Sequence, residues 1–327
     1  MGAGRVNAPL PPAELVAYTY GVADLEGVLE RYEREGTALH DVLVDELGPE
    51  WSWEGKRVLD FGCGAGRVLR QFWDIADVAE LHGAELNEAC VGWLERNLSP
   101  PVRVARSSDR PPLPYPDEHF DLVWAIWVFT HLSDTWAAWL LELRRILKPG
   151  GTLIASLMGT GVSEQLAREP WDADRIGMTV LGHGQPWTKG GPSILHSEWW
   201  IRAHWGRAFT VEDFHHLGTA PDLEDFVKLR REDRPAPTEE ELHLPEPDEP
   251  RELRAALHAI ALTNRERGEL QHHYDAVTAA YQTEARRRES AEARATELEQ
   301  QLRGARGGLV RRLGRRARSA LRARRMR

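Results

Sequence analysis

Only two of the 327 residues are cysteine, Cys63 and Cys90. Two thiols cannot build a disulfide framework or a zinc cluster, and their scarcity suits a reducing compartment, so a cytoplasmic location is expected. No apolar run approaches the ~20 residues of a membrane span. The longest is Leu122–Phe129. Met1–Pro12 is small and proline-rich, without the charged-then-apolar pattern of a secretory leader. Val6 stands where N-myristoylation favours Ser or Thr. The first 235 residues show no internal repeat. Acid is missing from Arg306–Arg327, which holds ten arginines; the whole chain carries −9, so the preceding 305 residues carry −19. An acidic body argues against nucleic acid as partner of the main domain. The basic end is a separate electrostatic object.

What is present is an alternation of strand and helix signals. Leu25, Val28, Leu29 and Tyr32, then Leu39, Val42, Leu43 and Leu47, fall at helical spacing and predict a helical cap over residues 1–53. Strands are expected at Arg57–Asp60, Glu80–Glu85, Val102–Ala105, Asp121–Val128 and Thr152–Leu157, with helices at Arg67–Trp73, Glu88–Asn97 and Trp136–Leu147. The fourth strand is almost continuously apolar, as a strand covered on both faces should be. This pattern predicts an α/β fold, Rossmann-like and doubly wound, with a mostly parallel sheet. Phe209–Leu217 and Asp225–Arg230 read as a closing pair that supplies an antiparallel closing strand. Residues 159–206 are irregular and rich in Trp, His and Gly, a length of connection that is often functional.

The most informative stretch is Val58–Arg70, VLDFGCGAGRVLR. A strand ends at Asp60, and Gly62, Gly64 and Gly66 follow at every second position. Backbone without Cβ atoms lets a ligand approach closely, and the next turn offers N–H donors. The dinucleotide fingerprint G-x-G-x-x-G needs a glycine where Arg67 stands. The run instead resembles motif I of the class I S-adenosylmethionine-dependent methyltransferases, as found in the methyltransferase-11/25-like enzymes of small molecules and glycans. Downstream segments extend the resemblance over roughly residues 36–232. LHGAEL ends the second strand at Glu85; SSDRPPLPYPDEHFDLVWA and LELRRILKPGGTLIAS follow in the family's order.

The resemblance implies S-adenosylmethionine as cofactor and no metal. It places the methionine part and ribose against Asp60, Gly62, Gly64 and Gly66. It gives the ribose hydroxyls to Glu85, with Leu86 beside it, and the adenine amino group to Asp109. Two extra prolines before Leu113 depart from the common form, so Ser108 is the alternative to Asp109. Arg67 is left between the cofactor carboxylate and a brace to the helical cap. His131, just past the fourth strand, is the candidate general base, because a hydroxyl acceptor must lose a proton and a histidine titrates near the working pH; a positioning role is its alternative. His183, Trp187 and His196 are substrate-pocket candidates. Trp199, Trp200 and Trp205 read as a packed helix face.

The remaining domains are expected to follow a methyltransferase domain at 54–232. Residues 233–252 form a proline-rich acidic linker, extended and solvated. Over 253–303 one heptad frame runs from Leu253 to Leu302, interrupted by Arg267, Glu284 and Arg288. It predicts a coiled-coil helix and a homo-oligomer, with a lone solvated helix as the alternative. Gly304, Gly307 and Gly308 are expected to end it. The segment 304–327 reads as a basic amphipathic tail for an anionic membrane surface, which would make the enzyme peripheral; an acidic partner or plain disorder are the alternatives. The expected activity is O-methylation of a sugar, glycan or other small-molecule hydroxyl. Its rivals are another transfer or a nicotinamide reaction on the same fold, or a non-catalytic scaffold that binds the cofactor.

Overall fold

A computed structural model describes residues 8–20, 22, 24–185, 191–216 and 224–325. The chain divides into two units, Met1–Thr263 and Asn264–Arg327.

The first unit opens with helices α1 (Ala13–Tyr20) and α2 (Val28–Leu47). Helix α2 buries Val28, Tyr32, Leu39, Leu43 and Leu47, the stripe its helical spacing predicts. Five parallel strands follow: β1 (Arg57–Phe61), β2 (Glu80–Glu85), β3 (Arg103–Arg106), β4 (Phe120–Ala125) and β5 (Leu147–Leu157). Helix α3 (Glu88–Asn97) joins β2 to β3, and α4 (Trp136–Ile146) joins β4 to β5. Asn87 caps α3 by accepting the Cys90 N–H at 3.0 Å. Beyond β5 come α5 (Thr160–Ala167), a hairpin of β6 (Met178–Leu181) and β7 (Ser193–His196), and α6 (Glu198–His204). Strands β8 (Thr210–His215) and β9 (Asp225–Arg230) complete the sheet, ordered β3-β2-β1-β4-β5-β9-β8. Strand β9 runs antiparallel to both neighbours. The fold is therefore the expected Rossmann-like, mostly parallel sheet with one reversed strand. Strand order switches between β1 and β4, which opens a crevice at their carboxyl ends.

Packing follows strand alternation. Val58, Leu122, Trp124 and Ile154 face α2 and the glycine-turn side, whereas Leu59, Val123, Ala125 and Leu153 face α4 and α6.

Four local expectations are corrected. Strand β4 stops at Ala125, because Trp127 takes φ 63°, outside strand geometry. The segment after Gly66 forms a 3-10 turn over Leu69–Ile75 instead of an α-helix. The stretch 233–252 is not a free solvated linker. It forms α7 (Glu239–His243), buries Leu242 completely, and is held by the Arg144 guanidinium, which donates to the Glu232 and Arg234 carbonyls. Finally, α8 (Arg251–Arg325) begins within the body, where Ala255, His258 and Leu262 are buried, and it runs on through Gly304, Gly307 and Gly308. A helical glycine costs only about 1 kcal/mol against alanine, and the Leu, Ala and Arg around these three are strong helix formers. Among the described residues no helix is long and apolar enough to cross a membrane.

Candidate active site

Strand β1 ends on Asp60 and Phe61, and the chain then turns back on β2. The Gly62 and Cys63 N–H groups both donate to the Ala84 carbonyl, at 2.8 and 3.2 Å. Gly62 has φ 76°, and a Cβ there would lie 2.4 Å from Val128 Cγ2. Backbone hand and neighbour both exclude a side chain at this position. Gly64 has φ 54°, and its missing Cβ would sit 3.7 Å from the Thr19 methyl, so α1 lies over the turn.

Glu85, at the tip of β2, faces this bend. Its Oε2 accepts the Gly64 N–H at 2.8 Å and its Oε1 accepts the Asn87 N–H at 2.7 Å. Burial raises its carboxyl above the usual range, against those two N–H bonds. Asp60 is 2% exposed, and its Oδ2 has no hydrogen-bond partner among the described residues. Burial pushes it up to about 7; the neighbouring Trp124 indole and the Arg67 charge oppose this, and Glu85 adds to it. Arg67 itself braces the cap. Its Nη1 donates to Glu35 Oε2 at 2.9 Å, Tyr20 donates to the same oxygen at 2.5 Å, and its guanidinium lies 5.2 Å from the Tyr20 ring and 5.3 Å from the Trp127 ring. Tyr32 donates to the Ala65 carbonyl at 2.9 Å and ties α2 to the glycine turn. Leu86 is 49% exposed on the turn after β2. Asp109 is exposed in the loop after β3, whose start is fixed by the Ser107 N–H donating to the Glu85 carbonyl at 2.9 Å. Ser108 donates to the Arg110 carbonyl within that loop.

A second set of groups gathers at the carboxyl ends of β4 and β5. The Trp127 N–H donates to Ser156 Oγ at 2.8 Å, and that hydroxyl donates to Glu224 Oε2 at 2.5 Å. Glu224 is 4% exposed, and burial pushes it up to about 7 against the pull of Ser156 and Arg67. His131 is half-buried; its Nδ1–H donates to the Pro192 carbonyl at 2.7 Å, which fixes the tautomer with its lone pair on Nε2. Burial lowers its pKa, so the ring stays neutral at working pH.

Residues 59–155 match the Methyltransf_11 family, a methyltransferase domain. The chain is 34% identical over 127 residues to a sterol 24-C-methyltransferase of Gibberella zeae, covering 37% of this chain and 31% of that protein. It is 35% identical over 103 residues to the 27-O-demethylrifamycin SV methyltransferase of Amycolatopsis mediterranei, covering 30% and 37%. A malonyl-[acyl-carrier protein] O-methyltransferase of Halorhodospira halophila is 31% identical over 151 residues, covering 43% and 48%. The matched region thus spans 31% to 48% of the length of these relatives. It carries a class I S-adenosylmethionine-dependent methyltransferase domain.

S-adenosylmethionine is the cofactor of such domains, and the residues present fit it. An orphaned carboxylate oxygen on Asp60 suits an ammonium group, and a two-oxygen carboxylate on Glu85 suits a vicinal diol. The methyltransferase domain brings Asp60, the three glycines and Glu85 together around one bend. It does not gather the three substrate-pocket candidates. His183 is exposed beyond the end of β6, and Trp187 lies outside the described residues. His196 is wholly buried, with its ring 5.7 Å from Trp200 and 6.0 Å from Trp205, so it lies in the core; burial lowers it to about 3. Trp199, Trp200 and Trp205 are buried beside it, as the helix pattern implies. An open cavity of about 910 Å³ lies away from the glycine cleft, lined by Thr160, Ser197, Trp199, Arg202, His216 and Arg251. Sequence reasoning passed over Glu224. Its signal was an acid pair, Glu224–Asp225, at the start of the strand.

Proposed function

We propose that this chain methylates the hydroxyl of a sugar, glycan or other small molecule, using S-adenosylmethionine. The observation that carries the reading is the Glu85 carboxylate reaching across to the Gly64 N–H while Asp60 Oδ2 stays unpaired. In this reading Asp60, Gly62, Gly64 and Gly66 receive the methionine part and ribose, Glu85 the ribose diol with Leu86 beside it, and Asp109 the adenine. When bound, the cofactor supplies an electrophilic methyl carbon that passes in line from sulfur to the acceptor oxygen. The protein's share is alignment and proton removal. His131 Nε2 is assigned the acceptor proton, because the Pro192 carbonyl holds the ring in the neutral tautomer that can take one. A second reading gives that proton to Glu224, favoured by its raised carboxyl and its place beside Ser156 at the strand ends. His183 and Trp187 remain acceptor-pocket assignments, and His196 is reassigned to packing.

The heptad helix is proposed to self-associate, and the arginine-rich end to hold a cytoplasmic enzyme peripherally at an anionic membrane. The named activities of the relatives include both C- and O-methylation, so the acceptor atom is the point to test. Calorimetry should show S-adenosylmethionine and not a nicotinamide dinucleotide binding the purified chain. Labelled methyl groups should then be traced from the cofactor into a cell extract. Label on an amine or carbon instead of a hydroxyl would overturn the acceptor assignment. Binding without any transfer would favour the scaffold.

A further inference from the structure

The apolar seam of α8 carries charged residues whose order determines how the helix can pair. Leu270, Tyr274, Val277 and Tyr281 are 64%, 66%, 53% and 77% exposed. Arg267 lies on the same seam just before this stripe, and Glu284 just after it. The helix start packs on the body through a different face, since Ala255, His258 and Leu262 fall at heptad positions opposite the seam. Burying one face thus leaves the other to solvent.

We propose that residues 263–288 of α8 pair with the same segment of a second copy of this chain in antiparallel orientation, with Arg267 facing the partner's Glu284 at both ends of the apolar stripe. The proposal rests on the self-association reading above and adds its geometry. In a parallel, in-register pair every seam residue meets its own copy. Arg267 would face arginine, Glu284 would face glutamate, and Arg288 would face arginine. Three layers of like charge would then be drawn partly out of water. In the antiparallel register centred between Asp275 and Ala276, Tyr274 meets Val277, Leu270 meets Tyr281, and Arg267 meets Glu284. Opposite charges then close the stripe twice by symmetry. Arg288 meets Thr263, and its charge is already matched by Glu284 one turn away at 3.6 Å. The flanks divide. The antiparallel pair sets Glu266 beside Arg287, whereas the parallel pair would set Arg287 beside Glu292 and Arg294 beside Glu299. Flanking pairs stay hydrated and contribute least, so the charges on the seam decide. Antiparallel pairing sends the two arginine-rich ends apart.

Sedimentation equilibrium of the full chain over a concentration series tests this, with helix content and cofactor binding as controls for folding. The wild type should show a two-chain mass. Arg267→Glu and Glu284→Arg should each weaken association about tenfold or more, and the double swap should restore it. Under mild oxidation, Arg267→Cys/Glu284→Cys should cross-link while neither single cysteine does. A wild type that stays monomeric throughout would refute self-association itself. A two-chain mass with cross-linking by Glu284→Cys alone would keep self-association and overturn the antiparallel order.

Discussion

The two sides of the crevice are built differently. On the side proposed for the cofactor, the groups are mostly backbone. Three glycines at positive φ, two N–H groups on the Ala84 carbonyl and one carboxylate across the bend all come from residues 60–87. On the side proposed for the acceptor, the groups are side chains drawn from far apart in the chain. Trp127, Ser156 and Glu224 meet across 29 and 68 residues, and His131 is oriented by Pro192, 61 residues on. A backbone site tolerates few residue types and so leaves a local pattern. A side-chain site can be met by many arrangements and leaves almost none.

Substitutions should split along the same line. The largest effect belongs to proton removal. His131→Ala should slow methyl transfer by ~10²–10⁴-fold while leaving cofactor affinity unchanged, because general-base catalysis is worth that much. If Glu224→Gln shows that loss and His131→Ala does not, the second reading replaces the first. Next comes the glycine bend. Gly62→Ala should cost about 1–2 kcal/mol for its backbone hand and about 1–3 kcal/mol more for overpacking against Val128, with cofactor binding lost alongside. Gly150→Ala is the matched control: φ is 78° with nothing within 4 Å of its Cβ, so a melting experiment should show only the first of those costs and no change in binding. Glu85→Ala should weaken cofactor binding by about 1–3 kcal/mol, since it leaves donors unmatched; unchanged affinity by calorimetry would remove Glu85 from the site.

The smallest effect is a pH dependence. Burial raises Glu224 to about 7 in the folded protein, above its ordinary carboxylate value. The folded state therefore holds a proton that the unfolded state releases, and stability falls as pH rises from the ordinary carboxylate range to about 7. His82 and His196, lowered to about 4 and about 3, act in the opposite direction below their ordinary value. Comparing wild type with Glu224→Gln cancels them. The wild type should lose stability relative to this variant between pH 5 and pH 7, and a constant difference in melting temperature would contradict the raised carboxyl.

Legibility in the sequence tracked how local the cause is. Strands β2 and β9 and helix α3 occupy the predicted residues, because alternation, composition and the Asn87 cap act within each element. The glycine bend and Glu85 were legible for the same reason. Trp127 ended β4 early through a backbone conformation that an apolar run cannot announce. The packed state of residues 233–252 depends on distant side chains: Arg144 donates to the Glu232 and Arg234 carbonyls, 88 and 90 residues on, Arg207 to the Glu241 and Leu244 carbonyls, and His204 to the Leu242 carbonyl. Proline and acid content argued for a solvated linker, and these long-range contacts outweighed them. His196 looked like a ligand-binding residue because the sequence does not show that Trp200 and Trp205 enclose it.

Helix α1 sits on Gly64 through Thr19 and is fastened by Tyr20 to the Glu35–Arg67 pair. In the proposed reading a nucleoside received on the bend would have the first helix as one wall, so loosening that wall by Tyr20→Phe should weaken cofactor affinity without touching the glycines themselves.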